Sequence, residues 1–539
     1  MQQALTTSST RRRVAALVER ARVDIPDLTA TAVALLSSFL LILSFPDFNL
    51  WPMVFVGLVP LLFIVVNKPA PAYALLIGWL SGAVFFYASC YWLTFSMINY
   101  GGLPTLVAYL LLIPGALAVG LFPGLFALGL ALAVRVWRTK ALLLAPFLWV
   151  TFEWARLGIT GQLWNALGYS LAFQARLIQP AGWGGVYAVS FLIVAVNAAI
   201  AFALIERSSN AIAISMLVLF LVVISVLVSH PVSPSSHRGI DARIVALQPN
   251  VPMHLVKSVQ EMRELTTRHI TMTENALRDV PRDGVPTIVI WPESPMNFTY
   301  GSDSTFRAFI TNFARQHKVS VLFNSQELAP NDGIYNSAML INDEGQLVGQ
   351  YDKIRLLPFG EYVPLPRWVP GASLISGIVG DFMPGNNYTL FQAGNAKAGV
   401  FICIESAYPS IARTFANEGA EVLINISNDG YLGRTAVVRQ HLANAVFRAV
   451  ENGRPVLRVT NTGITAYIDA KGQIKDPTPV FEPAVRVWTI CCTSADKTFY
   501  TRNGDLFALF CTMITGLVVF AYVVQRRLRS ATDRDLEKA

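Results

Sequence analysis

The sequence predicts a two-part molecule: a multi-pass α-helical membrane domain, then a layered α/β or α+β domain, closed by one further membrane helix. Three observations predict it. The 539-residue chain is 53% hydrophobic and only 14% charged, with a mean hydropathy of +0.47, against roughly 25% charged residues in an average soluble protein. The charge is spread unevenly. Between Leu28 and His230 it is confined to Asp47, Lys68, Arg135, Arg138, Lys140, Glu153, Arg156, Arg176, Glu206 and Arg207, whereas residues 231–505 read like an ordinary soluble domain. A last apolar run, Leu506 to Val524, ends in Gln525-Arg526-Arg527-Leu528-Arg529. These figures exclude a disordered chain, a coiled coil and a small disulfide scaffold, and they argue against a purely soluble protein. Membrane orientation explains the net charge of +8 more simply than nucleic-acid binding does.

A spanning helix needs roughly 20 apolar residues. After a tail of residues 1–27, seven runs qualify within a membrane domain of 28–230: 28–45, 51–67, 71–97, 103–134, 141–157, 182–205 and 210–230. The fourth holds Pro114 and Pro123 but no polar turn, so it reads as one long kinked or tilted helix; two crossings are the alternative. Residues 506–524 make the eighth span, and 525–539 a second tail. With the N-terminus in the cytoplasm, the inside segments carry thirteen Lys and Arg residues, and the outside connections carry Arg156 and Arg176. That asymmetry sets the orientation: both tails inside, and the soluble domain, 231–505, outside the cytoplasm. The N-terminal region shows no cleavage site after a short apolar run, so the first helix is expected to be retained. Among five cysteines, Cys90 and Cys511 fall in spans. Cys491 and Cys492 are neighbours in a strand-like run and point to opposite faces, which argues against a bond between them. No spacing suggests a zinc site.

In the soluble domain, strand-like runs recur at Arg243–Gln248, Thr287–Trp291, Ser320–Phe323, Ser337–Ile341, Ala398–Cys403, Val422–Ser427, Val456–Thr460 and Val485–Cys492. Several are apolar throughout, as buried strands are. Helical runs at Val259–Val280 and Asp303–His317 lie between some of them. The motifs of nucleotide-binding folds, zinc proteases and serine hydrolases are missing.

Three segments place polar residues in apolar surroundings: Ile288-Val289-Ile290-Trp291-Pro292-Glu293-Ser294, Tyr351-Asp352-Lys353 through Pro358-Phe359-Gly360-Glu361-Tyr362-Val363-Pro364, and Gly399-Val400-Phe401-Ile402-Cys403-Ile404-Glu405-Ser406. Each residue alone has an ordinary reading. A strand-end Cys is usually inert core, Glu293 a turn residue, Lys353 a solvated charge, and Glu361 and Glu405 ion-pair partners. Together they can do chemistry. A thiol needs its proton removed before it attacks. A partly buried Glu is a general base near neutral pH, and a Lys stabilises both the thiolate and the oxyanion of a tetrahedral intermediate. The set supports acyl transfer through a thioester, and none of the six histidines falls in these segments.

The order Glu293, Lys353, Cys403 resembles the nitrilase (carbon–nitrogen hydrolase) superfamily, whose catalytic Glu, Lys and Cys sit on an α-β-β-α sandwich. The flanking residues resemble the apolipoprotein N-acyltransferase family: Pro358-Phe359-Gly360-Glu361-Tyr362-Val363-Pro364, Ser427-Asn428-Asp429-Gly430-Tyr431-Leu432-Gly433, Asn452-Gly453-Arg454-Pro455, Arg458-Val459-Thr460-Asn461-Thr462-Gly463, and in the membrane part Trp149, Glu153, Arg156, Gly161, Trp164 and Gly168-Tyr169-Ser170. The resemblance implies a membrane domain of eight transmembrane helices bearing an extracytoplasmic nitrilase-like domain in the bacterial inner membrane. It implies transfer of a fatty acyl chain from a phospholipid, phosphatidylethanolamine in particular, to the N-terminal α-amine of a diacylated lipoprotein. Glu293 would be the base, Lys353 the oxyanion stabiliser and Cys403 the nucleophile, with Glu361 and Glu405 in support. Arg156, Trp164, Asn428 and Tyr431 are candidates for binding substrate, and the connection from Arg156 to Gly182 reads as an interfacial segment or an aromatic belt. Glu153 and Arg156 form an ion pair or meet a lipid head group. No metal, cofactor or nucleic acid is expected, and the chain is expected to be a monomer in the bilayer. The sequence departs from the family at Ile404, where Tyr is usual, at Gln248–Lys257, which lacks a Trp, and at Gly430-Tyr431-Leu432. A membrane-tethered amidase, with water taking the thioester, and a non-enzymatic membrane protein are the rival readings.

Overall fold

The computed structural model describes residues 26–229, 239–253, 257–330, 333–362, 382–491 and 496–536, with side chains as far as Leu528. Helices fill the first block. They are α1 (Leu28–Ser44), α2 (Val59–Asn67) behind a 3-10 turn at Trp51–Phe55, α3 (Pro71–Ser89), α4 (Leu93–Asn99), α5 (Thr105–Trp137), α6 (Ala145–Thr160), α7 (Ala181–Glu206) and α8 (Ser209–Val228). Among the described residues, five stretches are long and apolar enough to cross a membrane: Pro71–Ser89, Thr105–Thr160, Ala181–Glu206, Ser209–Val228 and Leu506–Leu528; Leu28–Ser44 and Trp51–Asn67 are shorter apolar helices. The stretch 105–160 is two helices, because the 3-10 turn Arg138–Leu144 interrupts it with Arg138 at a positive φ of 53°. Pro114 and Pro123 both lie inside the unbroken α5, so the run at 103–134 is one helix. The run at 71–97 is shorter than expected: α3 stops at Ser89, and α4 follows a turn.

Packing in this block follows membrane rules. The outer face of α8 carries exposed Leu217, Phe220, Leu221 and Leu227, the inverse of a water-facing helix. Small residues bring α3 and α5 together. A side chain at Gly78 would meet Ala127 and the Pro123 backbone, and one at Gly82 would meet the Gly120 backbone, the close approach that drives helix association without a hydrophobic effect. Buried hydroxyls pair across helices, as in Thr151 with Thr515 at 2.8 Å and Ser38 with Ser81 at 2.9 Å.

Among the described residues, the second block holds two six-stranded sheets. The first contains β1 (Ala242–Gln248), β2 (Thr287–Ile290), β3 (Ser320–Leu328), β4 (Ile334–Ile341) and β5 (Leu347–Asp352). The second contains β6 (Leu390–Ala393), β7 (Ala396–Ile402), β8 (Val422–Ser427), β9 (Val456–Thr460), β10 (Ala466–Ile468) and β11 (Ile474–Lys475). The late strand β12 (Ala484–Ile490) returns to the first, giving orders β12-β1-β2-β3-β4-β5 and β11-β10-β9-β8-β7-β6. Each sheet has a parallel centre, β1-β2-β3 and β7-β8-β9, with antiparallel edges. Alternation separates the faces. Ile244, Ala246, Ile288, Ile290 and Leu322 join Ala398, Val400 and Ile402 between the sheets, while Val245, Val289, Val321 and Phe323 pack outward on Ile310 and Phe313. The helices α9 (Val259–Arg278), α10 (Ser304–His317), α11 (Pro409–Glu418) and α12 (Val437–Asn452) cover the outer faces. This is the α-β-β-α sandwich. The short α13 (Phe499–Asn503) leads into α14 (Leu506–Leu536).

Four strands, β5, β6, β10 and β11, and three helices, α11, α12 and the short α13, are absent from the sequence reading. The expected strand end at Cys403 also differs: β7 stops at Ile402, and Cys403 opens a 3-10 turn, Cys403–Ala407. Cys491 is exposed, and Cys492 lies outside the described residues.

The buried core is continuous between the two blocks, and α12 is the element that joins them. The Gln440 oxygen accepts from the indoles of Trp92 and Trp164 at 3.0 and 2.8 Å, and its amide donates to the Pro46 and Ser89 carbonyls. Arg448 donates to the Ser406 carbonyl and to Tyr169 Oη at 3.0 and 3.1 Å. Its ion-pair partner Glu451 accepts from Val186 N at 3.0 Å. That N–H is free because α7 is broken at Gly184 and Gly185. Gly185 has φ +66°, and a Cβ there would come 2.7 Å from the Tyr500 ring, so only glycine fits.

Candidate active site

Each expected reactive residue stands just past the end of a strand, and the two sheets bring those ends together. Glu293 follows β2, Lys353 follows β5 and Cys403 follows β7. Lys353 is 1% exposed, with Nζ 2.8 Å from Glu361 and 3.9 Å from Glu293 Oε1. Asn336 on β4 spaces the two carboxylates, donating through Nδ2 to Glu293 Oε1 at 2.9 Å and to Glu361 Oε1 at 2.7 Å. The Leu357 N–H fixes the other Glu361 oxygen at 2.7 Å. Glu293 Oε2 is buried with no hydrogen-bond partner, and the Cys403 thiol is among the groups near enough to lower this carboxylate's pKa.

Glu405 ties the turn of Cys403 to the segment of Lys353. It is fully buried. Its Oε1 accepts from Ile354 N, Arg355 N and Tyr351 Oη at 2.8, 3.0 and 2.8 Å, and its Oε2 accepts from Ile402 N at 2.7 Å. Cys403 itself has φ +54°, a left-handed conformation that costs a non-glycine residue about 1–3 kcal/mol and persists only where its surroundings enforce it.

The electrostatics suit proton transfer. Burial raises the Glu293 pKa, Lys353 opposes this, and Glu361 adds to it, which moves a carboxylate toward the range of a useful base. Burial works against the Lys353 charge, but Glu361 and Glu293 outweigh it and hold the pKa above the ordinary lysine value. Burial and then Glu293 push the Cys403 thiol up, with Lys353 working the other way. Cys403 therefore rests as a neutral thiol beside the Lys353 ammonium.

The four candidate binding residues separate. Tyr431 lies at the site. It is 41% exposed, and burial and the Glu293 charge push its phenol up to about 12. Its ring packs on Tyr100 at 5.8 Å, and its carbonyl accepts from Ser96 in α4 at 2.6 Å. Asn428 is buried, with Oδ1 accepting from Gly430 N and Asn461, so it shapes the loop under Tyr431. Trp164 is 6% exposed and packs on Trp92 and His441 at 5.4 and 5.6 Å. Arg156 is 4% exposed, donates to the Trp164 carbonyl at 2.6 Å and lies over the Phe86 ring. The connection after α6 is thus no aromatic belt: Trp164 and Tyr169 are buried against α12, and Trp183 is the exposed aromatic. Glu153 and Arg156 form no ion pair. Glu153 accepts from Leu167 N at 2.8 Å and Trp149 Nε1 at 3.3 Å instead.

Sequence reasoning missed Asn336, Gln440 and the buried cluster behind Cys403, two members of which, Asp429 and Arg458, it held only within family-like motifs. There His441 bridges Asp429 and the Cys403 carbonyl, and Arg458 pairs with Asp429. The available signal was the run Val437–Asn452, where Gln440, His441, Arg448 and Glu451 interrupt an Ala/Val-rich stretch. Among the described residues no cluster of His, Cys, Asp and Glu could hold a metal.

Comparisons with known proteins agree with the two-part plan. The apolipoprotein N-acyltransferase N-terminal domain matches residues 37–199, and the carbon–nitrogen hydrolase domain matches 283–491. The apolipoprotein N-acyltransferase of Geobacter metallireducens is 30% identical over 524 residues, covering 94% of this chain and 98% of the relative. That of Thermotoga maritima is 29% identical, with 92% and 94% covered. That of Pseudomonas syringae pv. tomato is 30% identical, with 92% and 97% covered. Solved structures similar to the chain include an E41L mutant of the amidase from Nesterenkonia sp. AN1, with the acetamide moiety of fluoroacetamide added covalently at the active-site cysteine (16% identity, 50% of this chain and 96% of that chain, TM-score 0.36). Saccharomyces cerevisiae Nit3, of the nitrilase superfamily, is another (19%, 48% and 92%, TM-score 0.36). Near-complete coverage at this identity, with one family domain on the helical block and another on the sandwich, makes the chain a member of the apolipoprotein N-acyltransferase family, a membrane acyltransferase of lipoprotein biosynthesis with a nitrilase-like domain.

Proposed function

We propose that this chain moves a fatty acyl chain from a membrane phospholipid, phosphatidylethanolamine in particular, to the N-terminal α-amine of a diacylglyceryl-cysteine lipoprotein through a thioester on Cys403. The observation that carries the reading is the convergence of Cys403, Glu293 and Lys353 at one set of strand ends, beside Tyr431 and its support in the helical block.

Glu293 takes the Cys403 proton as the sulfur attacks the ester carbonyl, and the Lys353 ammonium stabilises the oxyanion. Collapse breaks the C–O bond, and Glu293 returns the proton to the departing lysophospholipid oxygen. In the second half the lipoprotein amine attacks the thioester carbonyl. Glu293 takes an amine proton, the thiolate leaves, and it is then reprotonated. Glu361 holds Lys353 charged, and Glu405 fixes the geometry of both segments. Tyr431 lines the entrance; Asn428, Arg156 and Trp164 act from beneath it by shaping the walls that substrate meets.

Acyl chains resist extraction from a bilayer by about 0.8 kcal/mol per buried CH₂, which requires a site at the membrane surface. On this reading the chain crosses the bacterial inner membrane eight times within 28–230 and 506–524. The domain at 231–505 lies on the periplasmic side, tails 1–27 and 525–539 are cytoplasmic, and the working unit is a monomer. Incubation of the purified enzyme with phosphatidylethanolamine and no acceptor, followed by digestion and mass measurement of the Cys403 peptide, tests the chemistry. An acyl-sized increase, absent in Cys403→Ala and discharged by a diacylated lipopeptide, is expected. Release of free fatty acid at the same rate with or without lipopeptide would favour an amidase-like hydrolase, and no adduct with no N-acylation would refute the reading.

A further inference from the structure

The turn that carries Cys403 rests on a buried charged cluster that the scheme above leaves unused. His441, on α12, lies between two acceptors: Nδ1 is 2.7 Å from Asp429 Oδ1, and Nε2 is 3.0 Å from the Cys403 carbonyl oxygen. A neutral imidazole has one N–H and satisfies only one of them. A carbonyl only accepts, so Nε2 carries a hydrogen. At Nδ1 the second hydrogen belongs either to the ring or to Asp429. Arg458 decides this, because its Nη2 is 2.9 and 3.2 Å from the two Asp429 oxygens. Burial raises the Asp429 pKa, and the Arg458 guanidinium is the largest influence lowering it; with that cation on both of its oxygens the carboxylate stays ionised. A bare Nδ1 would then set lone pair against lone pair at 2.7 Å.

We propose that His441 is a buried imidazolium that positions Cys403 and supplies positive charge that partly offsets its site. Burial and Arg458 lower the His441 pKa from its ordinary value, against the pull of its two acceptors; the geometry argues the other way, since with Asp429 ionised both short contacts are satisfied only by the charged ring. The charge count supports the role. Glu293, Lys353, Glu361 and Glu405 sum to −2 around Cys403, which disfavours a thiolate. Arg458, Asp429 and an imidazolium sum to +1 behind it. The remaining face of His441 meets Trp164, an uncharged indole at 5.6 Å, and its neighbour on α12 is the uncharged Gln440. The donated hydrogen bond also accounts for the left-handed Cys403, since together with Asn425 Nδ2 at 3.4 Å it anchors the carbonyl that this conformation turns toward α12. His441 is a positioning residue, and its role rests on Cys403 being the nucleophile.

Two measurements on the full-length protein in lipid nanodiscs test this. Solid-state NMR of ¹⁵N-histidine-labelled protein, with His441 assigned by its loss in His441→Gln, should show both ring nitrogens protonated at pH 7. A bare-nitrogen signal for His441 would overturn the proposal, whatever Cys403 does. The rate of Cys403 alkylation by iodoacetamide, read from the peptide mass between pH 6 and 9 (chosen assay range), should fall about tenfold at pH 7 in His441→Phe, with its midpoint displaced upward. His441→Gln keeps an N–H for the carbonyl without the charge and should lie between. Unchanged rates and midpoints in both variants would leave only a packing role and refute the positioning. If His441→Phe does not fold, the nitrogen signals and His441→Gln decide. Loss of the acyl adduct with intact nitrogen signals would instead count against the reaction proposed above.

Discussion

Exchange of Glu405 for glutamine changes one oxygen for a nitrogen at a fully buried site. Three donors converge on Oε1 and one on Oε2. The glutamine amide will keep its oxygen in the three-donor corner, because the opposite orientation strands three hydrogens instead of one. Its NH₂ then faces the Ile402 N–H, donor against donor. One buried N–H left without a partner costs about 1–3 kcal/mol, and the three retained bonds lose the strengthening of an ionised acceptor. The sum is about 2–4 kcal/mol. At about 2–4 °C per kcal/mol for a domain of this size, the melting midpoint should fall roughly 4–16 °C. Ile402 precedes the thiol and Ile354 follows the ammonium, so the same change loosens Cys403 relative to Lys353. Turnover should drop about tenfold or more, since misplacement near 1 Å is worth up to about 10²-fold. Fluorescence-detected melting in detergent at one scan rate, with N-acylation of a diacylated lipopeptide measured in parallel, reads both effects. The exposed Glu418→Gln serves as control. A Glu405→Gln protein that melts with the wild type and turns over at its rate would show that this carboxylate does not hold the site together.

Three further outcomes follow from the geometry. Glu361→Gln removes the 2.8 Å partner of Lys353 and a charge that raises the Glu293 pKa, so the acidic limb of kcat/KM should move to lower pH; a limb that stays put would refute the link. Asp429 is held at about 2 by Arg458 and His441, a depressed carboxylate whose stabilisation is present above about pH 4 and lost as pH falls toward 2. It contributes about 2 kcal/mol, and Asp429→Asn should flatten that part of the acid unfolding curve relative to wild type. In a Cys491→Ser background, a cysteine at the exposed Gln346 should react with an impermeant maleimide on intact spheroplasts and one at the exposed Lys140 only after lysis; the reverse pattern would invert the orientation.

Much of the fold is legible because it is written in local periodicity. The strand at 422–427 is an apolar run, and the helices near 259–278 and 304–317 repeat an apolar stripe at helical spacing. The elements that escaped notice are edge strands such as β10 and β11, too short for alternation to register, and α12, whose interior position dilutes any polar stripe. The aromatic residues at Trp164 and Tyr169 were equally misleading. Composition near a membrane suggests a belt, but only packing shows that α12 covers them.

By itself, the sequence determined the apolar helical block, the layered α/β-patterned domain that follows it, and the two apolar strands that run into Glu293 and Cys403, with Lys353 marked only as a polar residue in apolar surroundings. Burial of apolar surface is a property each segment carries alone, so it can be read segment by segment. The tertiary structure alone decided that those strand ends meet, that Asn336 and Glu405 hold them in register, and that His441 arrives behind Cys403 from a helix docked on the membrane block. These depend on the order of strands in two facing sheets and on pairings across tens to hundreds of residues, which no local pattern encodes.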